Sequence, residues 1–133
     1  MLDAIEKYSS DLNAAYDLDR EMGQFQYLIE LGKNSTSLKD EQKTDQNKMF
    51  GCLAQVWIIH RKEGNKYFFQ GDSDAFIVKG IVNIVTEIMS GCTSEEINII
   101  DHTIVHKIGF GPGLTARRQV GMMSMIDFIK KIQ

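Results

Sequence analysis

Residues 54–89, AQVWIIHRKEGNKYFFQGDSDAFIVKGIVNIVTEIM, contain the clearest structural pattern of this sequence. β-Branched and aromatic side chains dominate residues 54–61, and a Glu-Gly-Asn turn separates them from a second such run, KYFFQ. Two such runs joined by a short glycine-containing turn are typical of a β-hairpin. The segment that follows offers an acid or Ser73 as a helix N-cap and is apolar nearly all round as far as Met89. This pattern predicts a buried helix.

The region before the hairpin is predicted to form a helix, followed along the chain by an exposed connection. Apolar residues recur at roughly helical spacing from about Asp11 to Leu31 and stop at Gly32. This spacing predicts a helix or a helix pair with a glycine C-cap. Residues 33–48 are rich in Asn, Ser, Thr, Asp, Gln and Lys, which cannot bury a face, so they predict an exposed connection.

Two further helical stretches follow the buried helix, SEEINIID after Thr93 and ARRQVGMMSMIDFIKKI after Thr115. The regular alternation of strand and helix that builds a parallel sheet is absent. We therefore predict an α+β fold in which helices pack on a small antiparallel sheet of about three strands.

Composition indicates an ordinary soluble protein. The 133 residues suit a single domain spanning the whole chain, and 43% of them are apolar. A net charge of −3 argues against a general nucleic-acid binder, which would need a basic face. The first residues do not match a signal peptide, and the longest apolar segment, Phe76 to Met89, is too short to span a bilayer. We expect a cytoplasmic protein with no membrane partner.

The two cysteines have different local contexts. Cys52 lies between the polar connection and the first strand, where a thiol can be presented at a surface among apolar neighbours. Its alternative role is that of a small buried hydrophobic residue. Cys92 precedes Thr93 and Glu96, which match a capping box, so Cys92 is expected to pack on Ile97 as a hydrophobic staple.

Other patterns favour structural explanations. His102 and His106 have i, i+4 spacing but lack further metal ligands nearby, so we expect surface histidines and no metal site. The acids of GDSDA lack the rest of a calcium loop and are expected to cap a helix. The glycine-rich GFGPG is expected to be a flexible link. Arg117 and Arg118 open the last helix, where cations oppose the helix dipole, so either a solvated face or an anionic partner could explain them.

Five segments of the sequence form a distinctive set: YLIELGK, the polar connection with its QN pair, GCLAQVWI, GDSDAFIVKGIV and LTARRQVGM. Together they resemble the SufE family over about Tyr27 to Met125. Their order and spacing make the resemblance far more specific than any one motif.

The resemblance implies a sulfur carrier. A family member receives sulfur from a pyridoxal-phosphate (PLP) cysteine desulfurase of the SufS type as a persulfide on the cysteine of the GC motif, and stimulates that enzyme. It then delivers the sulfur to a SufBCD-like scaffold for iron-sulfur cluster assembly. The cofactor belongs to the desulfurase, so none is expected on this chain, which acts as an accessory sulfurtransferase and not as a stand-alone enzyme. The persulfide carrier implied here is Cys52, and the supporting or partner-binding residues implied are Gly51, Gln55, Asp72, Asp74 and Arg118.

Three other interpretations of the function are weighed against the sequence. The CsdE branch of the same family shares the cysteine chemistry but serves a different desulfurase and other sulfur-using pathways. A scaffold that binds iron itself would need three or four soft ligands, which two separated cysteines do not supply. A plain interaction module, in which Cys52 only fills the core, is the third alternative. Within the family, the spacing to Gly121 favours Arg118 over Arg117 as the partner-facing arginine.

Overall fold

The structure is a computed structural model, and it describes residues 1–50, 54–110 and 114–132. In the described residues five α-helices accompany one three-stranded antiparallel sheet, which confirms the predicted α+β class. The elements are α1 (Leu2–Asn34), β1 (Lys48–Met49), β2 (Val56–Glu63), β3 (Lys66–Ser73), α2 (Phe76–Met89), α3 (Ser94–Ile99), α4 (Ile104–Lys107) and α5 (Ala116–Ile132).

The predicted hairpin is present as β2 and β3. Glu63 pairs with Lys66, so the connecting loop consists of Gly64 and Asn65. Gly64 has a φ of +62°, a conformation that glycine adopts at little cost and that tight hairpin turns require. Short β1 pairs with the start of β2, giving the sheet order β1-β2-β3. Its first residue, Lys48, ends the predicted exposed connection, which also contains a short 3-10 helix at Asp40–Gln42.

Helix α2 is the buried centre of the molecule, as its apolar sequence predicts. Ten of its fourteen residues are buried, and it packs against both the sheet and α1. Its N-cap is Ala75, and no side chain caps it. The prediction that an acid or Ser73 caps this helix is therefore wrong, because the carboxylates of Asp72 and Asp74 bind other groups instead.

The first helix is a pair of antiparallel segments, one of the two predicted arrangements. Regular helical geometry breaks at Asp19 and Arg20, and Arg20 has a φ of +54°. The Tyr27 hydroxyl donates to Asp11, 2.9 Å away, although sixteen residues separate them in the chain. A continuous helix would hold these residues about 24 Å apart. The chain therefore turns back on itself at this break, forming a helical hairpin.

Gly32 is not the predicted C-cap. The helix continues to Asn34 and is followed by Ser35 in an extended conformation. Gly32 lies instead where α1 meets α2, and a Cβ added there would be 2.0 Å from the Phe76 carbonyl oxygen. On the facing helix, a Cβ at Gly80 would be 2.2 Å from the Leu28 carbonyl oxygen. The two glycines allow the two backbones to approach closely.

In the C-terminal half, the capping box and the last helix match the predictions, whereas the short helix α4 was not predicted. The Glu96 amide donates to the Thr93 hydroxyl and the Thr93 amide donates to the Glu96 carboxylate, which confirms the capping box of α3. Helix α5 spans the predicted stretch, and the Arg118 amide donates to Thr115 Oγ1 at its start. Among the described residues, no helix combines the length and the apolar character needed to cross a membrane.

Candidate functional site

A groove of about 1080 Å³ lies between the first turns of α2 and α5. Its walls are mainly apolar, with two arginines from α5 among the lining residues. Because β2, α2 and α5 all begin at this end of the molecule, their first residues come together here. The groove is lined by Ala54, Ala75, Ile77, Val78, Ile81, Thr115, Arg117, Arg118, Val120, Gly121 and Met125.

Cys52 and Gly51 lie outside the described residues, but the structure describes the chain on both sides of them. Met49 at the end of β1 pairs with Val56 at the start of β2. Residues 50–55 therefore join two antiparallel strands, and Ala54, two positions after Cys52, lines the groove. In sequence, Cys52 thus lies between Met49 of the sheet and Ala54 at the groove.

Gln55 and Asp74 hold the chain that follows Cys52. The Gln55 amide donates to Asp74 Oδ1 at 2.9 Å, and its side-chain Nε2 donates to Oδ2 at 3.3 Å. The Asp74 amide returns a hydrogen bond to the Gln55 carbonyl at 3.3 Å, and Lys48 Nζ donates to Gln55 Oε1 at 3.2 Å. Both Gln55 and Asp74 are exposed. The structure thus brings together Gln55, which is three positions after Cys52, and Asp74. Both are site residues that the resemblance implies.

Asp72 is buried and holds the chain that precedes Cys52. Its carboxylate accepts the Leu38 amide at 3.0 Å and lies 3.4 Å from both Lys43 Nζ and buried Lys79 Nζ. Burial alone would raise the pKa of Asp72, but hydrogen bonds from the amides of Ser73 and Leu38 and the charges of the two lysines outweigh it and lower the pKa. With 2% of its surface exposed, Asp72 supports the structure and cannot touch a partner protein.

The two arginines at the start of α5 are held differently. The Arg118 guanidinium lies over the Phe25 ring of α1, 5.1 Å from its centroid, and the residue is partly buried. Arg117 is exposed, and its side chain makes no hydrogen bond or ion pair with any residue that the structure describes. Arg118 is therefore oriented by a neighbouring helix, whereas the charge of Arg117 is available to a partner.

Cys92 is buried in the core, as its predicted structural role requires. It is 1% exposed, and its thiol lies 3.6 Å from the Ile88 carbonyl oxygen. Burial raises the pKa of this thiol, so its thiolate is scarce at neutral pH. Ile97, its expected staple partner, is fully buried in the same core.

The remaining candidates carry no site in the described part of the chain. His102 and His106 are exposed as predicted, and His102 lies 2.9 Å from Asp127 of α5. No group of three potential metal ligands occurs within residues 1–50, 54–110 and 114–132. The acids of GDSDA hold neighbouring segments and do not cap α2, which corrects their predicted role. Of GFGPG, residues 111–113 lie outside the described ranges.

Sequence analysis missed the apolar walls of the groove. Ile77 and Val120 are partly or well exposed although both belong to apolar stretches that predict burial. Val120 is 55% exposed. The available signal was the excess of apolar residues at the start of α2, more than one packed face requires. Which of them stay uncovered depends on where α5 packs, and local sequence does not specify that.

Comparisons with known proteins found similar sequences over most of this chain. The family model named SufE, which is described as an Fe-S metabolism associated domain, matches residues 11–133. An uncharacterised SufE-like protein of Rhizobium etli is 39% identical over 119 residues, which cover 86% of this chain and 80% of that protein. A second, from Rhizobium meliloti, is 41% identical over 118 residues, 85% of this chain and 84% of that protein.

One solved structure shows the same fold. The solution structure of a hypothetical protein from Thermus thermophilus superposes with a TM-score of 0.70. The match covers 94% of this chain and 91% of that one, at 16% sequence identity. At that identity the likeness concerns the fold alone.

Proposed function

This chain belongs to the SufE family, and we propose that Cys52 is its persulfide carrier. Family membership gives the chain a role in sulfur transfer for iron-sulfur metabolism. In the proposal, Cys52 accepts sulfur from a PLP-dependent cysteine desulfurase of the SufS type, which the chain also stimulates. A SufBCD-like scaffold then receives the sulfur in the cytoplasm. The chain holds no cofactor of its own, because PLP stays on the desulfurase.

The observation that carries the proposal is the burial of the other thiol. The sequence contains two cysteines, and a sulfur acceptor must be reached by the persulfide of another protein. Cys92 is 1% exposed and has a raised pKa, so it offers neither access nor a thiolate. Cys52 is the remaining thiol, and Ala54, two positions after it in the sequence, lines the groove.

The transfer is a thiol exchange. The Cys52 thiolate attacks the outer sulfur of the desulfurase persulfide, a new S–S bond forms, and the old S–S bond breaks. The desulfurase cysteine leaves as a thiolate, and Cys52 then carries the outer sulfur as its own persulfide. No external oxidant or reductant is consumed, because sulfane sulfur is only passed on. Since an unperturbed thiol is only a few per cent ionised at pH 7, docking that brings positive charge near the sulfur would speed the step.

Intact mass measurement tests the proposal directly. The parent protein, Cys52→Ser and Cys92→Ser would each be incubated with a desulfurase and L-cysteine and then weighed without reducing agent. We expect one added sulfur atom on the parent and on Cys92→Ser, and none on Cys52→Ser, because a serine hydroxyl cannot hold sulfane sulfur. A Cys52→Ser protein that folds and still gains sulfur would refute the proposal.

A further inference from the structure

The groove is too large and too apolar to be explained as part of the folded core. Its volume of about 1080 Å³ exceeds that of any single side chain, and most of its lining residues are apolar. Val120, at 55% exposure, shows that the rim remains open to solvent. A concave, mainly apolar groove of this volume is typical of a binding site for another molecule.

The charges around the groove limit what that molecule can be. Arg117 and Arg118 are the charged residues among those lining it, and no acid from the described part of the chain lines it. The nearest acid in sequence, Asp74, already accepts hydrogen bonds from Gln55. The charged residues that line the groove are therefore both cationic, on a chain whose net charge is −3. An occupant with apolar side chains beside a carboxylate would match both features.

From these features we infer that the groove binds a segment of the desulfurase that carries an apolar side chain next to an acidic one. Ile77 and Val120 contact the apolar side chain, and Arg117 attracts the acidic one. The inference rests on the proposed function, because it assumes that a desulfurase docks beside Cys52. It assigns different tasks to the arginines: Arg118 is positioned by Phe25, whereas Arg117 supplies long-range attraction that speeds encounter.

The place of Arg117 in its helix supports a binding role. Arg117 lies in the first turn of α5, where the helix dipole favours acids and disfavours cations by about 0.3–1 kcal/mol. An arginine there weakens its own helix and makes no compensating contact among the residues that the structure describes. Replacing it with an acid should therefore stabilise the isolated protein while weakening the complex, and a residue with only a structural role would not show that combination.

The test compares Arg117→Glu with Lys131→Glu. Both variants change the net charge by the same amount on the same helix, but Lys131 lies in the last turn of α5, away from the groove. Dissociation constants for the desulfurase would be measured by titration calorimetry at low and high salt, and melting temperatures would be measured on each protein alone. The groove wall is tested with Val120→Asp, which places an acid where an apolar contact is expected.

We expect Arg117→Glu to weaken binding about tenfold at low salt, with the difference shrinking as salt screens the charges. Its melting temperature should rise, and Lys131→Glu should bind like the parent. Val120→Asp should weaken binding at both salt concentrations. The inference is overturned if Arg117→Glu binds like the parent at low salt, or if Lys131→Glu weakens binding equally. Because binding is measured without sulfur transfer, failure of Cys52 to gain sulfur would be seen separately, by mass.

Discussion

Arg118 illustrates how one aromatic contact can orient a charged side chain at the edge of the groove. Its guanidinium lies 5.1 Å from the centroid of the Phe25 ring, so its direction is set by α1. Such a contact is worth about 0.5–1 kcal/mol at a partly exposed site. Arg118 is thus held at the groove by an interaction that folding does not depend on.

Arg118→Ala should therefore lower the maximal stimulation of the desulfurase several-fold while changing the free energy of unfolding by less than about 1 kcal/mol. Arg117→Ala, the matched control, should lower maximal stimulation less, because we assign Arg117 to encounter. Desulfurase activity would be measured across a range of concentrations of each variant, alongside urea unfolding. Equal maximal stimulation by Arg118→Ala and the parent would count against a docking role for Arg118.

At the scale of elements, the crossing of α1 and α2 depends on glycine. A Cβ at Gly80 would be 2.2 Å from the Leu28 carbonyl oxygen, and backbone atoms cannot yield as a flexible side chain can. Since α1 also supplies Phe25 beneath Arg118, a shift of this helix would disturb the arginine as well. The position of the groove thus depends on a contact between helix backbones.

Gly80→Ala should destabilise the protein by about 2 kcal/mol or more, through overpacking. The direction of the change in the free energy of unfolding is informative. In an uncrowded helix interior, replacing glycine with alanine stabilises the protein by roughly 0.5–1 kcal/mol. Urea denaturation of the parent and the variant gives the difference. A variant more stable than the parent would show that the helices do not approach as closely as described.

At its C-terminal end, the connection between β1 and β2 is held by hydrogen bonds between two exposed residues, Gln55 and Asp74. Asp74→Ala removes the acceptor of the Gln55 amide and of its side chain. Because both residues are exposed, we expect a stability loss of no more than about 1 kcal/mol. Amide hydrogen exchange at Gln55 should become faster in this variant, while exchange in the middle of β2 stays unchanged. Unchanged exchange at Gln55 would mean that Asp74 does not restrain this segment.

At the scale of the whole molecule, Asp72 joins parts of the chain that are distant in sequence. It lies on β3, accepts the Leu38 amide of the long surface connection, and is 3.4 Å from Lys79 of α2. Lys79 Nζ also donates to Ser37 of that connection, at 2.6 Å. One carboxylate therefore helps to fix the segment leading to β1 and, beyond it, to Cys52.

This arrangement predicts a specific dependence of stability on pH. Because folding lowers the pKa of Asp72, its contribution is present above the ordinary carboxyl pKa of about 4 and is lost as the pH falls through the lowered value. Asp72→Asn should cost roughly 3 kcal/mol at pH 7, since Lys79 is left buried without its counter-charge. The variant should also lose less stability than the parent between about pH 5 and pH 2. The free energy of unfolding of both proteins would be measured with urea at each pH. An equal loss in the parent and in Asp72→Asn as the pH falls would contradict this account.

The sequence by itself determined the type and order of most elements, because those depend on local periodicity and local capping. The hairpin of β2 and β3, the apolar helix α2, the capping box at Thr93 and the extent of α5 all follow from neighbouring residues. Resemblance of the motifs identified the family, and it assigned the persulfide to Cys52, which stays a prediction.

The tertiary structure alone decided what Gly32, Asp72 and Asp74 do. Gly32 allows two helices to meet instead of ending one, and Asp72 and Asp74 hold the segments before and after Cys52 instead of capping α2. The groove likewise exists only because the first turns of α2 and α5 pack side by side. These roles were beyond local sequence because each depends on a partner distant in the chain, and only packing of the whole chain brings the two together.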